Sequence, residues 1–250
     1  MIFCMAKNHT CSILAPMKNK TEPFPHSGIV LVDKPKDWTS HDVVNFIRGK
    51  FNVKKVGHCG TLDPAATGLL VIVLGHATKM SQQLSGSDKT YEATILFGKE
   101  TDSQDMDGTI TSEKDCSFLT EEMVRNEFAK FAGEMDQIPP MVSARKVDGK
   151  RLYELAREGK EIEREAKKIT ILSMDVKKVY LPYTDFVMKC TKGTYVRTIC
   201  YDIGTNLGCG AVLFSLRRTM SGEFNVAKSV DVETMRSWTQ EDLYRAIVEF

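Results

Sequence analysis

Gly57-His58-Cys59-Gly60-Thr61-Leu62-Asp63-Pro64-Ala65-Ala66-Thr67-Gly68 is the stretch on which the reading of this chain turns. Three glycines and a proline punctuate it, so it forms a loop between regular elements. The glycines permit positive φ and close approach of a ligand, while Pro64 biases Asp63 toward extended backbone. One carboxylate and one imidazole are thereby held in a turn, from which Asp63 can project into a cleft. Taken alone, Asp-Pro is an ordinary turn initiator, and His58 reads as satisfying a loop carbonyl.

The flanks of the loop are regular. Ahead of it, Gly28-Ile29-Val30-Leu31-Val32 is a buried strand stopped by Pro35, and Ser40 is expected to cap a helix carrying Val43, Val44, Ile47 and Phe51. Behind it, Leu69 to Leu74 is a second buried strand, followed by a helix from Ala77 to Leu84. Tyr91, Ala93, Ile95 and Phe97 alternate with other residues as a strand does, and an acidic turn segment follows at 101–108. Thr120 caps a helix presenting Val124, Phe128 and Phe131. After Pro139-Pro140 the pattern predicts a helix at 152–157, strands at 169–179 and 185–190, a helix at 198–207 and a strand at 212–216. Helices do not separate every pair of strands, so the class is α+β, with a mixed, largely antiparallel central sheet flanked by helices.

Residues 1–26 lack periodicity and are expected to be a flexible extension, 27–224 a single catalytic domain, and 225–250 a short helical tail with Trp238, Leu243, Ile247 and Val248. The 250 residues, 42% apolar, suffice for a sizeable core. The longest apolar run is Leu69 to Leu74, far short of the ~20 residues a spanning helix needs, and Lys7 to His9 interrupt any signal-like start. Seven scattered cysteines without a C-x-x-C pair suggest neither a disulfide framework nor a metal site, and fit reduced cytoplasmic thiols. Net charge is only +1, but residues 92–136 carry an acidic excess and 140–220 a basic one, a segregation that permits RNA on one face.

The twelve-residue loop resembles the signature of the bacterial tRNA pseudouridine synthase B family, G-H-T-G-T-L-D-P-x-A-T-G, with Cys59 standing where threonine is usual. The similarity continues in order through Asp33-Lys34-Pro35 with Thr39-Ser40, Lys89-x-Tyr91-Glu92-Ala93, and Gly98 with Thr101-Asp102 and Asp105. Pro139-Pro140 with Ser143-Ala144-x-Lys146, Gly193-Thr194-Tyr195-Val196-Arg197-Thr198 and Leu216-Arg217-Arg218 extend it, so that it spans Gly28 to Phe224. Departures are Asp37 for the usual glycine, Val142 where tyrosine is common and Val212 where histidine is frequent.

The resemblance implies the pseudouridine synthase fold, with an RNA cleft across the sheet, and isomerisation of the T-loop uridine at position 55 of tRNA without cofactor or metal. It implies a stand-alone monomeric enzyme that binds the tRNA T arm, away from any membrane. Asp63 is similar to the catalytic carboxylate, Arg197 is its proposed partner, and Tyr91 offers a face for stacking uracil and a hydroxyl near C5. Read without the resemblance, Tyr91 is a core residue and Arg197 a phosphate contact or surface ion pair. His58 is expected to help fill the space left by a flipped base, and Tyr195 and Leu216 to confine that base. Lys34 and Thr61 are expected at the substrate, and Lys146, Lys150, Arg151, Arg217 and Arg218 on its phosphates. A non-catalytic RNA-binding or RNA-folding module on the same fold is the alternative, as is a guide-RNA-dependent relative, for whose additional domain 225–250 is short.

Overall fold

The computed structural model describes residues 22–143, 146–147, 150–151, 160 and 162–248. In chain order its elements begin β1 (Gly28–Lys34), α1 (Ser40–Lys50), β2 (Val56–His58), β3 (Thr67–Leu74), a 3-10 turn (Gly75–Met80), α2 (Ser81–Ser85) and β4 (Lys89–Phe97). There follow β5 (Lys99–Thr101), β6 (Ile110–Glu113), α3 (Glu121–Ala129), β7 (Gly133–Gln137), β8 (Lys146–Val147) and β9 (Lys150–Arg151). The chain continues through β10 (Lys167–Tyr180), β11 (Tyr183–Cys190), α4 (Val196–Asn206), β12 (Ala211–Ser221), β13 (Phe224–Asn225), β14 (Val230–Asp231), α5 (Val232–Ser237) and α6 (Gln240–Arg245). The helix expected at 152–157 lies outside the described residues.

Ten strands form one mixed sheet in the order β14-β1-β3-β12-β4-β11-β10-β7, with β2 on β3 and β13 on β12. Most pairings are antiparallel, as expected; β12 runs parallel to β3, and β14 parallel to β1. The β12 to β3 contact is the seam between two halves, each with its own core. In the first half, β1 and β3 are covered on both faces: Val30, Val32, Leu70 and Ile72 pack with α1, while Ile29, Leu31, Leu69 and Val71 form a second cluster behind them. Burial on both faces explains why these strands read as continuous apolar runs. In the second half, Tyr91, Ala93, Ile95 and Phe97 point into a core shared with Phe128 of α3 and Ile199 of α4, and the intervening Glu92 and Thr94 face outward.

Several local expectations are revised. Thr39, not Ser40, caps α1, in a reciprocal capping box with Asp42. Ser40 is freed to turn inward, where its hydroxyl donates to Leu62 O (3.2 Å) and accepts from Leu62 N–H (2.9 Å), tying α1 to the Asp63 loop. The helix expected at 77–84 is a 3-10 turn followed by one α turn, and the last long strand reaches Ser221 rather than stopping at 216. Part of the leading segment packs as well. Phe24 is buried with α1 and Val53, and the His26 ring stacks on Tyr244 at 4.0 Å, so the packed structure starts before Gly28. At the other end, Val232, Met235 and Leu243 bury against the first half. No helix among the described residues is long and apolar enough to cross a membrane.

The seam is possible because of Gly68. It has φ +100°, and a Cβ there would lie 2.3 Å from the backbone oxygen of Arg218, its strand partner. Gly68→Ala is therefore expected to lower the free energy of unfolding by about 3 kcal/mol, through both strain and collision. Gly49→Ala, on α1 with nothing within 4 Å, is expected to be neutral or slightly stabilising. Urea unfolding of the two variants beside the parent chain checks the contrast; equal effects would mean that the seam adapts.

Candidate active site

A cavity of about 240 Å³ opens at the seam, lined by Asp63, Tyr91, Tyr195, Arg197, Leu216 and Arg218, with Thr61, Lys89, Ser143 and Lys192 on its walls. The Asp63 loop, β4 and the 195–218 stretch, the last more than a hundred residues beyond the other two, converge here because β4 pairs with β12, and β12 meets β3. Tyr91 and Arg218 are directly opposite one another across that pairing.

Arg197 is the second residue of α4 and is 2% exposed. Its guanidinium donates from Nε toward Asp63 Oδ2 (3.1 Å), from Nη1 to Ser103 O (2.8 Å) and from Nη2 to Val142 O (2.8 Å). Asp105 Oδ2 lies 3.4 Å from Nη1. Asp105 in turn accepts from the Ser103 hydroxyl and from Asp107 N–H, so the acidic turn at 101–108 is folded around it. The α4 end is fixed by Gln137, whose side-chain amide donates to Tyr195 O (3.0 Å) and accepts from Tyr195 N–H (2.8 Å).

The side chain of Asp63 keeps 41% of its surface accessible and lines the cleft. The cleft walls displace enough solvent to raise its pKa; Arg197 opposes this, and the Asp105 carboxylate adds to it. Burial likewise raises the Tyr91 pKa, with Arg218 acting against it, so the side chain is a neutral phenol near neutral pH.

Two residues expected on the RNA are engaged as interior braces. Lys34 is fully buried and places its three ammonium hydrogens on Pro35 O (2.8 Å), Trp38 O (2.5 Å) and Pro64 O (3.1 Å). Arg218 is 1% exposed and donates to Leu69 O (2.7 Å) and Gly60 O (3.0 Å). Both hold carbonyls of the Asp63 loop and its following strand, which leaves them unavailable as free phosphate contacts. Arg217 is bidentate to Asp33 of β1 (3.0 and 2.6 Å) and lies outside the Asp63 cavity. The side chains of Lys146, Lys150 and Arg151 lie outside the described residues. His58 is half-buried on β2, does not line the cavity, and has Nδ1 without a hydrogen-bond partner among the described residues. Burial lowers its pKa, and Arg218 lowers it further.

The departures from the family pattern are accommodated. Asp37 takes φ 65°, the region a glycine suits and an aspartate tolerates, and donates its N–H to Pro64 O (2.9 Å). Cys59 is fully buried, with its thiol pushed up to about 11 by burial, so it packs rather than reacts. Val142 supplies a backbone carbonyl, for which the side chain is immaterial, and Val212 is a buried strand residue. Sequence reasoning assigned no role to Asp105, Lys89, Gln137 or Ser143. All but Gln137 stand inside quoted motifs, which was the available signal.

Comparison with known proteins identifies the fold and the family. A solved chain in a Cbf5-Nop10-Gar1 complex superposes with a TM-score of 0.65 at 28% identity, over 82% of this chain and 52% of that one, so this chain spans about half its length. That likeness, with the cleft at the seam, defines a pseudouridine synthase fold. Proteins named tRNA pseudouridine synthase B are 47% identical in Opitutus terrae, over 88% of this chain and 92% of theirs, and 48% identical in Clostridium tetani, over 83% and 72%. The family model described as TruB family pseudouridylate synthase (N terminal domain) matches residues 48–196, and the tRNA pseudouridylate synthase B C-terminal domain matches 197–249. The chain belongs to the TruB family.

Two pH effects follow from the site. Burial lowers the Lys34 pKa to about 8 from an ordinary lysine value of 10.5. The folded chain thus gives up this proton before the unfolded one does: the buried charge costs stability below pH 8, and the cost is relieved as pH rises toward 10.5. The stability difference between the parent chain and Lys34→Met is expected to rise by about 3 kcal/mol between pH 7 and 10.5, measured by denaturant unfolding; a flat difference would contradict a lowered pKa. Asp105→Asn removes a charge that raises the Asp63 pKa, and Arg197→Met one that lowers it. The acidic limb of the pH-rate profile is expected to move to lower pH in Asp105→Asn and to higher pH in Arg197→Met.

Proposed function

We propose that this chain converts the T-loop uridine at position 55 of tRNA to pseudouridine, with Asp63 as the catalytic carboxylate. The observation that carries the reading is the Asp63–Arg197 pair, a cleft-facing carboxylate whose partner is a buried and fully engaged guanidinium. Isomerisation breaks the N1–C1′ bond, turns the uracil, joins C5 to C1′ and removes the C5 proton. An ionised carboxylate serves each of the three available first steps: attack at C1′, addition to the uracil ring, or proton removal from C2′ to give a glycal. Arg197 favours the ionised form against the desolvation that opposes it.

Tyr91 lines the cavity, where its ring is a face for the detached uracil to stack on and its neutral hydroxyl a polar group for the C5 step. Tyr195 and Leu216 line the same cavity and confine the flipped base, while Lys192 is an exposed cation at its wall suited to a phosphate. The reaction exchanges one carbon–nitrogen bond for one carbon–carbon bond without net redox change, so no cofactor is required. In this reading the enzyme works in the cytoplasm as a single chain.

Tritium release from a T-arm stem-loop labelled at C5 of the target uridine tests the proposal. The parent chain is expected to release tritium, and Asp63→Asn to release none while still binding the RNA. Binding without release by the parent chain would leave an RNA-binding or RNA-folding protein instead.

A further inference from the structure

Ser143 lines the Asp63 cavity and is 5% exposed, yet its hydroxyl has no hydrogen-bond partner among the described residues. A buried hydroxyl left unpaired destabilises a fold, and such groups are uncommon enough to require a reason. The backbone around it is not slack. Ser143 N–H donates to Met141 O (2.9 Å), and the preceding carbonyl, Val142 O, accepts from Arg197 Nη2 (2.8 Å). The same guanidinium holds Asp63 through Nε. Hydroxyl and carboxylate are therefore both positioned by one rigid planar group.

A serine changes between staggered rotamers at little cost, so the hydroxyl of this cavity-lining residue can turn to meet a bound molecule. The hydroxyl then both donates and accepts. The oxygens of a uridine suit it: a 2′-hydroxyl next to C1′, or a uracil carbonyl. We propose that Ser143 hydrogen-bonds an oxygen of the uridine bound over Asp63, completing its own bonding only when substrate is present. This inference rests on the synthase reading above and adds a substrate contact to it.

Steady-state tritium release is measured for the parent chain, Ser143→Ala and Ser143→Cys, on T-arm stem-loops carrying either uridine or 2′-deoxyuridine at the target, alongside thermal unfolding of the free proteins. Deleting an unpaired hydroxyl removes no bond from the free enzyme, so Tm is expected to stay unchanged or rise, while kcat/KM on the uridine substrate falls about tenfold. Cysteine, similar in size but a weak donor, is expected to behave like alanine. If the partner is the 2′-hydroxyl, the loss disappears on the deoxy substrate; if it is a uracil carbonyl, the same fold loss persists. Activity within twofold of the parent in either variant overturns the proposal, as does a loss accompanied by a lower Tm in both. Failure of the parent chain itself to release tritium from uridine would instead remove the synthase reading.

Discussion

The buried guanidinium of Arg197 is the constraint on which the site depends. A cation taken out of water is tolerated only when its charge is paired and its N–H groups are bonded. Here two carboxylates, Asp63 and Asp105, and two carbonyls, of Ser103 and Val142, meet that requirement. Those partners come from the Asp63 loop, the acidic turn and the segment after Pro139-Pro140, while the arginine belongs to α4. Four parts of the chain are thus ordered by one planar group. Asp63 cannot relax away from it without leaving a buried charge less well matched, which fixes the carboxylate more firmly than loop residues are usually fixed.

Around that group the chain uses cations as internal struts. Lys34, Lys89 and Arg218 place their donors on backbone carbonyls: Pro35, Trp38 and Pro64 for Lys34, Ser85 and Ser87 for Lys89, Leu69 and Gly60 for Arg218. Loop carbonyls turned inward need donors, and long cationic side chains reach those that no strand can satisfy. Two of them, Lys89 and Arg218, also line the cleft, with Lys192 and Arg197, beside the Asp63 carboxylate. A cleft can therefore attract a polyanion although the formal charge of the whole chain is only +1.

Periodicity made much of this legible. The strands at β1, β3 and β4 and the helices α1 and α3 follow from apolar spacing and turn chemistry, because those signals are local. The Asp63 loop was legible from its motif. What sequence did not reveal is where long polar side chains end. Lys34 reaches Pro64 thirty residues away, and Arg218 reaches Gly60 across a strand pairing that only the folded sheet creates. Basic residues in motifs read as phosphate contacts, since an exposed and a buried arginine look alike in a string of letters. Ser40 was misread for a related reason: Thr and Ser stand side by side, and either can cap, so the choice depends on which hydroxyl the loop needs.

The arrangement also resolves a conflict in what the carboxylate must do. Desolvation strengthens the electrostatic interactions of the Asp63 carboxylate but favours its neutral acid; full solvation would keep it ionised and weaken them. The structure sets the two against each other by partly enclosing the carboxylate and placing a cation against it. Asp105 makes the balance finer, because its charge steadies Arg197 and at the same time raises the Asp63 pKa. A second carboxylate at that guanidinium is thus not redundant. It places a second negative charge beside a buried cation that already donates to two carbonyls, and it takes part of the cation's field away from Asp63, so Asp63 is not held in an ion pair too strong to leave.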